Sequence, residues 1–225
     1  MLVKRKEAKA IVSEYSRLYT CAVSDAIDEL GLPPGFLDAG FRPVWPGARL
    51  VGFAGTVRMV ESDAPLDRDV IAKMAKYLPQ MPPSAVFCVG MGGKMVAAGL
   101  GQSTCRILQG FGFRGGIVDG PVRDVAQVTA LKFPVFSKGF VCSSIRGRMV
   151  VDYDSINQPL EFGGRVVNPG DLVFGDINGV VVVPGEDVGR VLERAKEIIS
   201  TDSWWFEQLE AGREPTELER EKPLP

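Results

Sequence analysis

The chemistry open to this chain is narrowed first by an absence: none of its 225 residues is histidine. Acid–base and electrostatic work therefore falls to carboxylates, guanidinium or ammonium groups, hydroxyls, thiols, backbone amides or a bound metal ion. The stretch Gly115-Gly116-Ile117-Val118-Asp119-Gly120-Pro121-Val122-Arg123-Asp124 offers two of these groups side by side. Its apolar residues predict a strand over 116–119, and the following glycine turn presents Arg123 next to Asp124. A guanidinium binds an oxyanion through two parallel hydrogen bonds, and a carboxylate holds a hard cation. Alone, the pair also fits a plain helix start, with Asp124 capping the next helix and Arg123 in solvent.

Upstream, Gly90-Met91-Gly92-Gly93 opens a loop that passes Gly99 and Gly101 and ends where a helix begins at Gln102-Ser103. Glycines let backbone approach closely, and the free N–H groups of a helix start suit a carboxylate. The same glycines could simply shape a connection. Two other glycine strings fail as nucleotide motifs. Gly110-Phe111-Gly112-Phe113-Arg114-Gly115 has the GxGxxG lettering, but it follows a helix and leads into a strand, the reverse of the dinucleotide order. Gly92-Gly93-Lys94 lacks both the first glycine of a P-loop, replaced by Cys88, and its hydroxyl, replaced by Met95. Lys138, just after the strand Pro134-Val135-Phe136, could form a Schiff base if buried and neutral, although a solvated loop lysine is the simpler reading.

The elements that must position these groups alternate between helix and strand. Helices are expected over 6–18, over 21–30 with Thr20 as N-cap and Gly31 as terminator, over 69–77, 102–109 and 125–131. Strands are expected over 48–60, 85–89, 116–119 and 134–136. Beyond Gly139 the pattern turns β-rich: a hairpin over 159–167 turning at Gly163-Gly164, then strands over 171–176 and 179–183. An amphipathic helix over 186–200 follows, with Trp204-Trp205-Phe206 in its continuation. We expect one α/β domain over 1–200 and a C-terminal extension over 201–225 that packs on the core or on a subunit interface.

Composition limits the partners. Hydrophobic residues make up 45% and charged residues 24% of the chain, and a formal charge of −2 provides no pull toward nucleic acid or anionic membrane. Arg146-Gly147-Arg148 is a local basic cluster suited to an anion contact. The basic opening 1–6 runs into charged residues rather than an apolar signal segment, and no apolar run reaches membrane-spanning length. Cys21, Cys88, Cys105 and Cys142 form no CxxC pair and are expected as buried, reduced thiols of a cytoplasmic protein.

Over roughly 18–200 the chain resembles the RraA-like family, which includes class II 4-hydroxy-4-methyl-2-oxoglutarate / 4-carboxy-4-hydroxy-2-oxoadipate aldolases and the ribonuclease E regulator RraA. The resemblance rests on Val23-Ser24-Asp25-Ala26 with Leu30-Gly31, Pro46-Gly47-Ala48-Arg49-Leu50-Val51-Gly52, Val118 through Asp124, Phe133-Pro134-Val135-Phe136, Val167-Asn168-Pro169-Gly170-Asp171, Asp176, and Gly179 through Pro184. It implies a swivelling β/β/α-type α/β fold with N-terminal helices and a C-terminal helical extension, assembled as a homotrimer or homohexamer with active sites at subunit boundaries. It also implies Asp124 as the metal ligand, for Mg²⁺ or another divalent cation such as Mn²⁺, with water completing the shell. Arg123 is then the catalytic contact to the pyruvyl oxygens, and backbone amides at Gln102 and Ser103 bind the substrate carboxylate.

That resemblance points to a metal-dependent lyase acting on a small 2-oxo acid through a pyruvate enolate, as a 4-hydroxy-2-oxo acid aldolase or an oxaloacetate decarboxylase. The alternative it carries is a non-catalytic regulator that binds ribonuclease E or another protein. Positions that are usually acidic in the aldolases hold Gln102 and Gln127 here, which removes negative charge from the expected metal shell. Glu197 and Asp202 are candidates for a carboxylate lent by a neighbouring subunit.

Overall fold

The computed structural model describes residues 5–65, 67 and 69–224; of the basic opening, Met1 to Lys4 lie outside the described residues. Two helices come first, α1 (Arg5–Tyr15) and α2 (Thr20–Glu29), followed by a two-residue strand β1 (Arg42–Pro43) and the long strand β2 (Leu50–Glu61). Three strand-and-helix steps succeed them: α3 (Val70–Tyr77), β3 (Ala85–Gly90), α4 (Gln102–Gly110), β4 (Gly115–Val122), α5 (Val125–Ala130) and β5 (Val135–Phe140). The β-rich remainder is β6 (Met149–Asp152), β7 (Leu160–Phe162), β8 (Arg165–Val167), β9 (Leu172–Asp176) and β10 (Gly179–Val183), closed by α6 (Val188–Glu210) and α7 (Pro215–Glu221).

The main sheet has the order β1-β5-β4-β3-β2-β9-β10, with β6 paired to the far end of β2. Strands β2 to β5 are parallel, whereas β1, β6, β9 and β10 join antiparallel. The sheet curls almost to closure: Arg42 on β1 donates to the Asn178 carbonyl beside β10 at 3.2 Å. The period of two along each strand divides the core. On β3, Phe87 and Val89 face a cluster that includes Leu108 of α4 and Val128 of α5, while Val86 and Cys88 face the inside of the curl. On β9, Leu172 and Phe174 pack against α1, α2 and α6, and Val173 points inward. Both faces of the parallel strands are covered, so β3 and β4 are buried throughout.

Several boundaries differ from the sequence expectation for identifiable reasons. Strand β4 does not stop at Asp119; it continues through Gly120 and Pro121 with a register shift against β5. Gly120 is there for space rather than for a turn, because a Cβ would lie 2.8 Å from Met91 Sδ and 2.9 Å from the Lys94 carbonyl oxygen. Strand β5 likewise extends to Phe140, which puts Lys138 in the sheet instead of a loop. Thr20 is the first helical residue and not a cap; its hydroxyl and N–H both go to the buried carboxylate of Asp176, at 2.7 and 2.9 Å. The expected hairpin forms as β7 and β8, with Gly163 and Gly164 at φ 57° and 86° in its turn. Helix α6 runs unbroken through residue 200, and Trp205, buried on it, donates to the Lys222 carbonyl just past α7 at 2.7 Å. Cys88 and Cys105 are buried as expected, but Cys21 on α2 and Cys142 in the loop after β5 are exposed. Among the described residues no helix is long and apolar enough to cross a membrane.

Candidate active site

The site forms where the loop 91–101 returns alongside the end of β4. Gly99 donates to the Pro121 carbonyl at 2.9 Å and Arg123 donates to the Leu100 carbonyl at 3.0 Å, so loop and strand pair as a short parallel bridge. This zipper delivers the N-terminus of α4 to the side of Arg123 and Asp124. Asp124 then adopts φ 60°, ψ 39°, the left-handed conformation that aspartate tolerates better than most residues. The turn swings its carboxylate back across the chain, where Oδ2 accepts the Gln102 N–H at 3.0 Å. Asp124 makes no side-chain cap to α5, the helix that it precedes. It caps α4 instead, and the plain helix-start reading is corrected accordingly.

Only glycine fits between these groups. A Cβ on Gly101 would stand 2.7 Å from Asp124 Oδ2 and 3.1 Å from Arg123 Nε. With Gln102 N–H engaged by Asp124, the next two N–H groups of the helix, on Ser103 and Thr104, find no acceptor among the described residues. They are the first-turn donors that α4 leaves free, at its electropositive end. Arg123 Nε lies 3.6 Å from Asp124 Oδ2, and both side chains are near 40% exposed, at 40% and 37%. This loose contact leaves the outer guanidinium donors and Asp124 Oδ1 open to a ligand. Gln102 therefore takes part through its backbone, as expected, but its N–H serves Asp124 rather than an external carboxylate.

A cavity of about 310 Å³ begins at this corner, bounded at one end by Gly101, Ser103 and Arg123. Arg146, singled out above as an anion contact, lies on its lining. The part of the wall contributed by α3 was not foreseen from sequence; its signal was an amphipathic segment whose apolar face no other element demands. Glu197 and Asp202 are engaged within the chain, by Arg194 at 2.6 Å and by the Tyr19 hydroxyl at 2.6 Å. Cys105 sits beneath the corner on α4, and burial, with the Asp124 charge adding to it, pushes its thiol up to about 12, which rules out a thiolate nucleophile.

The donors present suit a hard divalent cation rather than a soft one. No three of Cys, Asp and Glu cluster among the described residues, so a thiolate or all-protein cage is excluded there. Magnesium is commonly held by one or two carboxylates with water and substrate oxygens completing the shell. Asp124 Oδ1, which accepts no hydrogen bond among the described residues, is such a carboxylate oxygen, on a side chain 37% exposed next to Arg123.

A second charged cluster lies on the other side of the same loop. Lys138 Nζ is 2.6 Å from Asp119 Oδ1 and 2.7 Å from Asp38 Oδ2, above the Phe41 ring at 5.0 Å. Burial works against the ammonium form, but the hydrogen bonds to Asp119 and Asp38 prevail and raise the Lys138 pKa. Paired with two carboxylates and placed in the sheet, Lys138 fits neither the Schiff-base reading nor the solvated-loop reading.

Comparison with known proteins bears on the family and the fold. Residues 20–182 match the RraA-like family, described as Aldolase/RraA. A protein of Halalkalibacterium halodurans with the provisional name 4-hydroxy-4-methyl-2-oxoglutarate aldolase is 29% identical over 185 residues, 82% of this chain and 81% of its own. The solved structure of an uncharacterized protein from Pseudomonas syringae pv. tomato superposes with a TM-score of 0.80 at 28% identity, covering 94% of this chain and 97% of that one. Streptomyces coelicolor RraAS2, described as an unusual member of the RNase ES inhibitor RraA protein family, gives a TM-score of 0.75 over 88% of this chain and 98% of its own. Its 24% identity makes that likeness one of fold.

Proposed function

The chain belongs to the RraA-like family, and from that premise we propose that it is a lyase that releases pyruvate from a 2-oxo acid, by aldol cleavage of a 4-hydroxy-2-oxo acid or by decarboxylation of oxaloacetate. One observation carries the reading. The left-handed turn at Asp124 sets a carboxylate oxygen beside Arg123 and the first turn of α4, whose Ser103 and Thr104 N–H groups have no acceptor among the described residues, and Arg123, Ser103 and Thr104 line the cavity next to it. In either reaction a carbon–carbon bond breaks and its electron pair passes into the pyruvyl unit as an enolate. The Ser103 and Thr104 N–H groups hold the C1 carboxylate, and Arg123 contacts the 2-oxo oxygen, where negative charge develops. Asp124 Oδ1 is the ligand for a divalent cation, Mg²⁺ or Mn²⁺, which when bound supplies Lewis-acid stabilisation of the same charge. Lys138, protonated and paired, takes no part as an imine.

Exposed Met95, Val96 and Phe140 lie beside the site and support assembly as a homotrimer or homohexamer around it, which light scattering measures. The test of the reaction is pyruvate release from oxaloacetate and from 4-hydroxy-4-methyl-2-oxoglutarate, with Mg²⁺, with EDTA and with Asp124→Ala. Release that requires both the cation and Asp124 supports the lyase; equal, negligible rates in all conditions reject it. The glutamines at 102 and 127 favour a second reading, a regulator that binds ribonuclease E without catalysis. A pull-down with no ribonuclease E complex removes it.

A further inference from the structure

Helix α3 is unusual in this fold. Its sequence VIAKMAKY is apolar at every position but the two lysines, yet none of its eight residues is buried. A helix with so broad an apolar surface ordinarily hides it against a core. Here Met74 and Tyr77 pack only partly on the core, and the helix lines the cavity that begins at Arg123 through Val70, Ile71 and Met74. Across from it, the same cavity is walled by side chains from four other parts of the chain: Val57, Val151, Ile107 and Ile145, with Met74 and Leu78 on the α3 side. Among the described residues no carboxylate and no ammonium group lines it; the charged groups there are Arg123 and the exposed Arg146. Its size, about 310 Å³, and its apolar wall with a few polar groups at one end are those of a small-molecule site.

Resting on the pyruvate-lyase reading, we propose that this cavity seats an uncharged apolar substituent on C4 of the substrate. The preferred substrates are then 4-hydroxy-2-oxo acids with an alkyl or aryl group on C4, and the second product is an apolar ketone or aldehyde. The atoms balance without a co-reactant. The C3–C4 bond breaks with its pair left on C3, the 4-hydroxyl loses its proton as C4 becomes the carbonyl, and C3 takes up a proton to give pyruvate. The class follows from the wall. A carboxylate on C4 would give up hydration on entering an apolar cavity and, beyond Arg123, would meet a cation among the described residues only at Arg146, whereas an alkyl group covers the half-exposed apolar side chains of α3.

The experiment compares kcat/KM for pyruvate release by the full chain with Mg²⁺ on three compounds. Oxaloacetate has no C4 substituent to seat, 4-hydroxy-4-methyl-2-oxoglutarate carries a carboxylate on C4, and 4-hydroxy-4-methyl-2-oxoheptanoate carries a propyl group in its place. The propyl compound is expected to exceed the dicarboxylate by at least about tenfold. Met74→Gln should erase most of that ratio, and Ile71→Gln, at a position 57% exposed, repeats the test should Met74→Gln fold poorly. Equal rates, or a preference for the dicarboxylate that Arg146→Ala abolishes, overturn the proposal. Turnover of oxaloacetate without turnover of the propyl compound defeats the apolar-substituent inference and leaves the lyase reading standing. No pyruvate from any of the three defeats both.

Discussion

Asp119 and Asp124 are five positions apart, and the chain uses them in opposite ways. Asp119 is buried on β4, with Lys138 Nζ 2.6 Å from one oxygen and the Gly93 N–H 3.1 Å from the other. Asp124 lies just beyond the same strand, its side chain 37% exposed, with one oxygen on the Gln102 N–H and the other free. Both carboxylates pin the loop 91–101, Asp119 near its start and Asp124 at the helix that ends it. A buried carboxylate ion-paired through one oxygen and hydrogen-bonded through the other contributes to the fold. A half-solvated carboxylate with one free oxygen, held in a conformation that costs backbone energy, is available for chemistry.

The largest effect should come from separating charge from geometry at Asp124. Asparagine tolerates the left-handed conformation and can still accept the Gln102 N–H, so Asp124→Asn should leave the melting temperature within about 2 °C of wild type, a change of less than about 1 kcal/mol. Pyruvate release should nonetheless fall by about 10²-fold or more. A comparable loss of stability would place Asp124 with Asp119 as a structural residue. Gly101→Ala should follow, because its Cβ must displace Asp124 Oδ2 from 2.7 Å. We expect a loss of about 10- to 100-fold in kcat/KM, and a crystal structure of the variant should show the Gln102 contact broken.

Asp119→Ala should produce the reverse pattern. Removing it strands a largely buried lysine with Asp38 alone and leaves the Gly93 N–H only the backbone carbonyl of residue 119, at a cost of about 3 kcal/mol and a fall in melting temperature of about 6 to 12 °C by calorimetry. Activity measured well below that transition should suffer less than in Asp124→Asn. A stable Asp119→Ala protein without activity would invert the contrast drawn here.

The parallel half of the sheet was legible because its strands are short apolar runs between glycine-rich loops and amphipathic helices, and period alone separates them. What sequence could not supply was the difference between a glycine that turns and a glycine that makes room. Gly120 looked like a turn and is a strand residue packed under Met91 and Lys94, which moved Arg123 and Asp124 from a strand end at 119 to one at 122. That Arg123, Asp124, Gln102 and Ser103 come together was legible, since they flank one loop and its glycines. Their mutual arrangement was not, because the left-handed turn at Asp124 depends on Gly101, distant in sequence and adjacent only after the loop has zipped against β4. Asp38 escaped notice for a similar reason: nothing local marks it as the partner of a lysine one hundred residues away.

The smallest effect expected is in pH dependence, and it isolates the exposed member of the buried cluster. Burial opposes ionisation of Asp38, but the hydrogen bond from Lys138 and the Gly40 N–H outweigh it and hold its pKa below the ordinary carboxylate value. A depressed folded pKa contributes stability above the unfolded pKa, about 3.9 for aspartate, and loses it as pH falls through the folded value. Lys138 has the opposite sign. Its raised pKa contributes fully below the unfolded value, about 10.4 for lysine, and the contribution fades as pH rises through the folded one. Between those limits the cluster should be insensitive to pH. Asp38→Asn should therefore make the acid side of a melting-temperature profile shallower below about pH 4 while leaving the slope from pH 5 to 8 unchanged. Because the Asp38 side chain is 43% exposed, water screens much of the pair and the difference should be small. A variant that instead altered the neutral range would show that Lys138 gives up its proton there, and the division between a structural lysine cluster and a chemical arginine corner would fail.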